Sequence, residues 1–361
     1  MSISTSATTA ATASAVVDPA VVDPAVVDPA VSEAAPVRPR AAEVELSYDA
    51  TVPRTLVHRA SIAEVFVTDS AETGEDTFAV AAQLPRGHLI GEDSPSYDFT
   101  LLVEVVRQAG VLIAHRHLGV ELGSAFIFRN LRLRVTAFEP LRIGRRPADL
   151  RVEVTVRTRR NRTGRVQGFT FTGDVAVDGR PAMCGEGGLL ILSRTAYQAM
   201  RSRRQLPDHP GFLLPRFTAA EPCAVGRRDA RNVFVTEPVA DGEQGGFSCQ
   251  LVVDTSHPHV FDHPLDHVPG HLQMEAARQL AVASVARLHG LDPCSLSIAS
   301  IETDFTDYAE LDRITSLRAT VGGFRSDEEL GTFTIPVEVQ AVQESTVTTA
   351  MRIEVAQWTQ D

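Results

Sequence analysis

Glu275 and Arg278 stand three residues apart in an apolar stretch, and Glu104 and Arg107 repeat the pair 171 residues earlier. On a helix, positions i and i+3 share a face. A carboxylate held there can act as a general base toward a hydroxyl. A guanidinium beside it can hold a phosphate through a bidentate fork that no lysine matches. An isolated Glu-x-x-Arg is ordinarily a surface ion pair worth a few tenths of a kcal/mol. Two features separate these pairs from that ordinary case. The motif occurs twice, as Glu104-Val105-Val106-Arg107-Gln108 and Glu275-Ala276-Ala277-Arg278-Gln279. Both copies also lie in stretches too apolar for a surface helix.

Histidines precede the second pair. His259, His263, His267 and His271 are spaced by four, with Asp262 and Asp266 between them. On one continuous helix that spacing would line up metal ligands. Pro264 and Pro269-Gly270 interrupt it, so the four do not share a face, and no metal is expected. No cofactor is implied either.

The elements that must position these residues come in two sets. Val65-Phe66-Val67-Thr68 recurs as Val233-Phe234-Val235-Thr236, 168 residues on; Arg116 and Gly119 recur as Arg287 and Gly290; Phe138-Glu139-Pro140-Leu141 is echoed at Tyr308-Ala309-Glu310-Leu311. Landmarks in one order at nearly one offset indicate duplication of a whole unit of roughly 150 residues. Each unit follows one plan. A strand region (54–83 and 224–254) leads into a Pro/Gly/Asp/His-rich approach (84–98 and 255–270), then a long apolar helix (99–118 and 271–289). Segments of period two close it, among them 131–135, 150–156 and 169–171 in the first unit and 335–339 and 351–355 in the second. The expected class is α+β, each repeat an antiparallel sheet wrapped around one long central helix. The expected organisation is a low-complexity disordered tail over 1–43, a first repeat over 44–194, a linker over 195–222 and a second repeat over 223–361. The tail carries three tandem Val-Val-Asp-Pro-Ala copies whose prolines oppose helix and sheet alike.

Composition removes whole classes. All 34 basic residues among the 361 are arginine. Without lysine there is no Schiff base, P-loop or kinase lysine. The four cysteines form no C-x-x-C pair and read as reduced thiols, which suits a cytoplasmic protein. No apolar run approaches the roughly 20 residues of a membrane span, and the N-terminus lacks a signal-peptide pattern. Charge is uneven. Residues 129–204 hold 17 arginines against six acidic residues, a balance of +11, within a chain whose net charge is −12. Arg157, Arg159, Arg160, Arg162 and Arg165, grouped near Gly164, offer a docking face for an acidic partner. No helix-turn-helix or zinc spacing points to nucleic acid.

The order Phe261-Asp262-His263-Pro264, Val268-Pro269-Gly270, Met274-Glu275 resembles the hotdog-fold acyl-thioester enzymes. The doubled Glu-x-x-Arg-Gln, with Arg59-x(5)-Val65-Phe66-Val67-Thr68, resembles more specifically the A-factor biosynthesis family of γ-butyrolactone synthases, built as a tandem double hotdog. The resemblance covers about residues 54 to 357. It implies transfer of a β-ketoacyl group from an acyl-carrier-protein thioester to the primary hydroxyl of dihydroxyacetone phosphate, followed by closure to a butenolide phosphate. Carried onto this chain, it implies Glu275 as base for that hydroxyl and Arg278 as phosphate holder. Glu104 would be a second acid/base or orienting group, and Arg107 a further substrate-binding residue. By likeness to dehydratases, His263 is a further catalytic candidate, paired across the repeats with Glu104. The first repeat has no His-Pro or Pro-Gly at the matching Gly91-Glu92-Asp93-Ser94-Pro95, so at most one of the two pseudo-equivalent sites is complete. Two other classes remain open: another hotdog thioester enzyme, a thioesterase or dehydratase, for which Arg278 would be dispensable, and a non-catalytic regulatory protein that keeps the shell.

Overall fold

The computed structural model describes residues 44–202, 215–242 and 245–358. The expected tail over 1–43 and residues 203–214 of the expected linker lie outside the described residues. The first repeat runs β1 (Val67–Gly74), β2 (Thr77–Leu84), α1 (Phe99–Arg116), β3 (Ala125–Val135), β4 (Ala148–Arg160), β5 (Val166–Val177) and β6 (Arg180–Leu192). Helix α2 (Arg194–Ser202) follows. The second repeat runs β7 (Val239–Ala240), β8 (Gly246–Gln250), α3 (Gly270–His289), β9 (Leu296–Phe305), β10 (Thr315–Val321), β11 (Arg325–Asp327), β12 (Thr332–Gln343) and β13 (Thr346–Gln357).

The two sheets join into one. Its order is β1-β2-β4-β5-β6-β3-β9-β13-β12-β10-β8-β7, with β11 paired to β12. The second half retraces the first in reverse about the β3–β9 seam, as a pseudo-twofold requires. There the strands pair antiparallel, Leu131 opposite Thr303 and Leu133 opposite Ile301. Joining at the seam protects two edges that each repeat alone would expose. The period-two segments lie in the strands their alternation predicts. In β4, Leu150, Val152, Val154 and Val156 are buried while Arg151, Glu153 and Arg157 are not.

Helix α1 starts at Asp98, whose side chain accepts the Thr100 amide (2.8 Å). Its Val106 and Gly110 pack over Leu133, Val152, Val154, Phe171 and Val175. Its Phe99, Thr100 and Val103 face His271, Met274 and Arg278 of α3 above Ile298, Ile301 and Ile353. Covered on both sides, each helix is buried around nearly its whole circumference, which is why neither shows a polar stripe. Helix α3 begins at Gly270, where a Cβ would stand 2.8 Å from the Phe305 ring, and ends at Gly290 in the left-handed region (φ 67°).

The stretch expected to be a linker begins as α2, docked on the second repeat. Arg201 is buried between Asp266 (3.1 Å) and Glu310 (2.6 Å), and its guanidinium lies over the Tyr308 ring (4.6 Å). Among the described residues no helix is long and apolar enough to cross a membrane.

Candidate active site

The two Glu-x-x-Arg-Gln motifs build the same buried lock. In the second repeat the Glu275 carboxylate has no exposed surface. It accepts Nε and Nη2 of Arg278 (2.8 and 2.9 Å), Nε of Arg227 (2.9 Å) and the Gln279 amide (2.6 Å). In the first repeat Glu104 accepts Nε and Nη2 of Arg107 (both 2.8 Å), Nε of Arg59 (2.8 Å) and the Gln108 amide (2.6 Å). Gln108 and Gln279 then stitch each helix to the strand lead-in. Each accepts a backbone N–H, from Phe66 or Phe234 (both 2.9 Å), and donates to a backbone carbonyl, of Glu64 or Asn232 (both 2.7 Å). The spacing is thereby explained, since i, i+3 and i+4 are the positions that meet on a helix face.

Burial pushes each glutamate up, but paired guanidiniums outweigh it. Arg107 and Arg59 hold Glu104 well below the usual carboxylate range, and Arg227 and Arg278 lower Glu275. An enclosed carboxylate held ionised by two arginines is a poor proton acceptor. The sequence suggested Glu275 as the base; in the structure both glutamates are bound by two arginines each.

The partner arginines also cross between repeats. Arg59 donates to the His259 carbonyl (3.0 Å); Arg227 donates to the Ile90 carbonyl (2.9 Å) and to Asp98 (2.6 Å). Neither was assigned a role from the sequence. The signal was present, because Arg59 and Arg227 both stand six residues before Val-Phe-Val-Thr. Gly226, in the left-handed region (φ 67°), ends the 3-10 turn Pro222–Val225 and delivers Arg227.

Around these equal locks the repeats differ. Beside Arg278 opens a cavity of about 490 Å³ whose walls include Arg227, Arg228, Asp98, Ser94, Phe138 and Trp358. That volume falls within the usual range for small-ligand sites. Glu275 takes Nε and Nη2 of Arg278, so neither bond uses its Nη1. A small apolar gap of about 10 Å³ between α1 and α3 shares Phe99, Arg278 and Ile298 with this cavity and reaches His271.

Beside Glu104 stands a histidine. His271 Nδ1 lies 3.7 Å from Glu104 Oε2. The pairing of His263 with Glu104 expected from the sequence is corrected here: His263 Nδ1 turns to Asp262 (3.3 Å) at the rim. The cause is Asp262, which accepts the Ala60 and Ser61 amides and pins the loop to the first repeat. The four evenly spaced histidines reach four different carboxylates: His259 to Glu64, His263 to Asp262, His267 to Asp266 and His271 to Glu104.

A different group does converge, since Glu64, His88 and His259 bring possible ligand atoms within 4.8 Å of one another. Hydrogen bonds account for it. Glu64 Oε1 takes His88 Nε2 (3.3 Å) and Oε2 takes His259 Nδ1 (2.7 Å). His88 Nδ1 accepts the Ile90 amide (3.3 Å), which leaves its proton on Nε2. Despite burial, these two imidazoles hold the Glu64 carboxyl down at about 2. Burial pushes His259 down to about 4.

Arg157, Arg159, Arg160, Arg162 and Arg165 are all exposed, on the β4–β5 hairpin and its turn at Gly164. Arg165 pairs with Glu121, just beyond the C-terminal end of α1 (2.7 Å).

The family model AfsA, the A-factor biosynthesis hotdog domain, matches residues 41–192 and again 210–357. A 2-oxo-3-(phosphooxy)propyl 3-oxoalkanoate synthase of Streptomyces virginiae is 36% identical over 73% of this chain and 85% of its own length. A protein of the same name from Streptomyces coelicolor is 34% identical over 75% of this chain and 82% of its own. Among solved structures, a pyran synthase domain from the sorangicin pathway aligns over 82% of this chain and 98% of its own, with a TM-score of 0.48 and 15% identity.

Proposed function

The chain belongs to the A-factor biosynthesis hotdog domain family, and from that premise we propose that it is an acyltransferase of γ-butyrolactone-type autoregulator biosynthesis. It moves a β-ketoacyl group from an acyl-carrier-protein thioester to the primary hydroxyl of dihydroxyacetone phosphate. The product is a 2-oxo-3-(phosphooxy)propyl 3-oxoalkanoate, which closes to a butenolide phosphate. The observation that carries this reading is Arg278, gripped along one edge by a buried carboxylate and lining a cavity sized for a small ligand. A fixed guanidinium loses little freedom when a phosphate binds.

In this reading Arg278 holds the phosphate and Glu275 fixes Arg278. Glu104 fixes Arg107 and Arg59 in the pseudo-equivalent lock. His263 and Arg107 contact the substrate away from its phosphate. The exposed arginine hairpin receives the acidic carrier protein through long-range attraction. None of the four cysteines is in a disulfide, which fits a cytoplasmic setting.

The test is an assay with a β-ketoacyl thioester and dihydroxyacetone phosphate, products read by mass. A phosphorylated ester should form. Arg278→Ala should lower kcat/KM for the triose phosphate about a hundredfold or more. Thioester cleavage that proceeds equally well without triose phosphate would replace this reading with a thioesterase.

A further inference from the structure

We propose that His271 is the base that takes the proton from the acyl-accepting hydroxyl and returns it to the departing thiolate. The inference rests on the acyltransferase reading and names a group that the glutamates leave wanting.

His271 sits in the first turn of α3, with Met274 and Arg278 on the same face. His271 and Arg278 line one apolar gap, and Phe99, Arg278 and Ile298 are walls of both this gap and the large cavity. Seven residues of helix separate them by about 10 Å along the axis, and side chains leaning toward the helix N-terminus bring the guanidinium back toward the imidazole. A short molecule with a phosphate at one end and a hydroxyl at the other spans such a pair. The gap now has room for about one water-sized group. A hydroxyl is that size, and Met274, an unbranched side chain, is the wall that yields to the carbon behind it.

The nitrogens of His271 have separate surroundings. Nδ1 faces Glu104, 3.7 Å away. Nε2 is buried and meets no hydrogen-bond partner among the described residues. With the ring proton on Nδ1 toward the carboxylate, Nε2 keeps its lone pair, and Glu104 stabilises the imidazolium when a proton arrives. His259 packs edge-on against the same ring, with centroids 5.0 Å apart and planes at 83°. Its own Nδ1 is committed to Glu64 (2.7 Å). The charged groups around this pair include Glu104, Glu64, Arg59, Arg107 and Arg278, with His88 behind them.

Other candidates are occupied. Both glutamates of the locks are bound by two guanidiniums and an amide. His88 and His257 use both ring nitrogens. His58 is held against His115 (2.9 Å), and His263 sits at the rim on Asp262. His259 also has an unpartnered Nε2, but its side chain is wholly enclosed.

The step balances. The hydroxyl O–H breaks as its proton moves to Nε2, and the oxygen forms a bond to the thioester carbonyl carbon. The C–S bond then breaks, and the thiolate takes the proton from Nε2. Nothing is oxidised or reduced.

The critical variant is His271→Asn, which keeps an N–H for Glu104 and deletes Nε2. The second is His271→Thr, the residue type that α1 carries at the matching position, Thr100. Steady-state kinetics with a β-ketoacyl thioester and dihydroxyacetone phosphate should show kcat reduced roughly 10²- to 10⁴-fold in both. The KM for the triose phosphate should stay within about threefold of the unaltered enzyme. Arg278→Gln should instead raise that KM. Retention of kcat within about threefold by either folded His271 variant, or a raised KM at full kcat, would overturn the role of His271 and leave the acyltransferase reading standing. No ester from the unaltered protein would overturn both.

Discussion

Each lock is a carboxylate buried to the last oxygen and held by two guanidiniums and one amide. Taking such an ion out of water is costly, and only several well-made bonds offset the loss. A missing partner is therefore felt strongly. Arg227→Met would leave Glu275 without one guanidinium and Asp98 without its partner at 2.6 Å. We expect a loss of about 3–5 kcal/mol, measured as a lowered urea midpoint. A midpoint within error of the unaltered protein would mean that Arg278 and Gln279 suffice. At this scale the sequence was half legible. Glu-x-x-Arg-Gln announced itself by recurring, but the second guanidinium of each lock comes from a turn more than 40 residues upstream, and no local spacing reports that meeting. His271 was hidden for a related reason. Which histidine meets Glu104 depends on where Asp262 ties its loop, and that tie runs to amides of the other repeat.

Helices and strands were legible because their periods are physical. Strand β4 alternates as a half-buried sheet must, β12 and β13 do so over 337–341 and 349–355, and the helix spans follow the apolar stretches almost to the residue. The short elements were not legible. Two 3-10 turns per repeat carry Arg59, Glu64, Arg227 and Asn232 into place, and turns of three or four residues leave no periodic trace. Gly226 is the exposed weakness of this arrangement. Its φ of +67° disfavours any side chain, and a Cβ there would stand 2.9 Å from Val282 Cγ1 and 3.0 Å from the Pro293 carbonyl. Gly226→Ala should cost about 1–3 kcal/mol and, by moving Arg227, should weaken triose-phosphate binding as well. Thermal melts and the KM for the triose phosphate would check both. A stability loss with KM unchanged would separate the turn from the site.

At the scale of the molecule, duplication has produced one structure from two halves. The sheet is continuous across β3 and β9, and Arg59 and Arg227 each reach into the other repeat. The interior also holds histidines kept neutral. Burial pushes His58 down to about 3 and His259 to about 4, from an ordinary 6.5. The unfolded chain therefore binds protons near pH 6.5 that the folded chain refuses, so stability falls as pH drops from about 6.5 toward 4. Glu64, held at about 2 against an ordinary 4.5, adds a further loss below pH 4.5. Urea midpoints should decline steadily from pH 7 to pH 4.5, by a few kcal/mol in total, and His259→Gln should flatten part of that slope. A flat profile would contradict the burial assigned to these rings. Duplication also left the halves unequal. The locks match, but Arg278 opens on a cavity with no histidine in its walls, while Glu104 stands beside the His271 imidazole. Each chain therefore holds one phosphate-binding site. The most direct measurement is calorimetric titration of dihydroxyacetone phosphate into the unaltered protein, Arg278→Gln and Arg107→Gln. We predict one site per chain, lost in Arg278→Gln and kept in Arg107→Gln. Two equivalent sites, or one site that survives in Arg278→Gln, would contradict it.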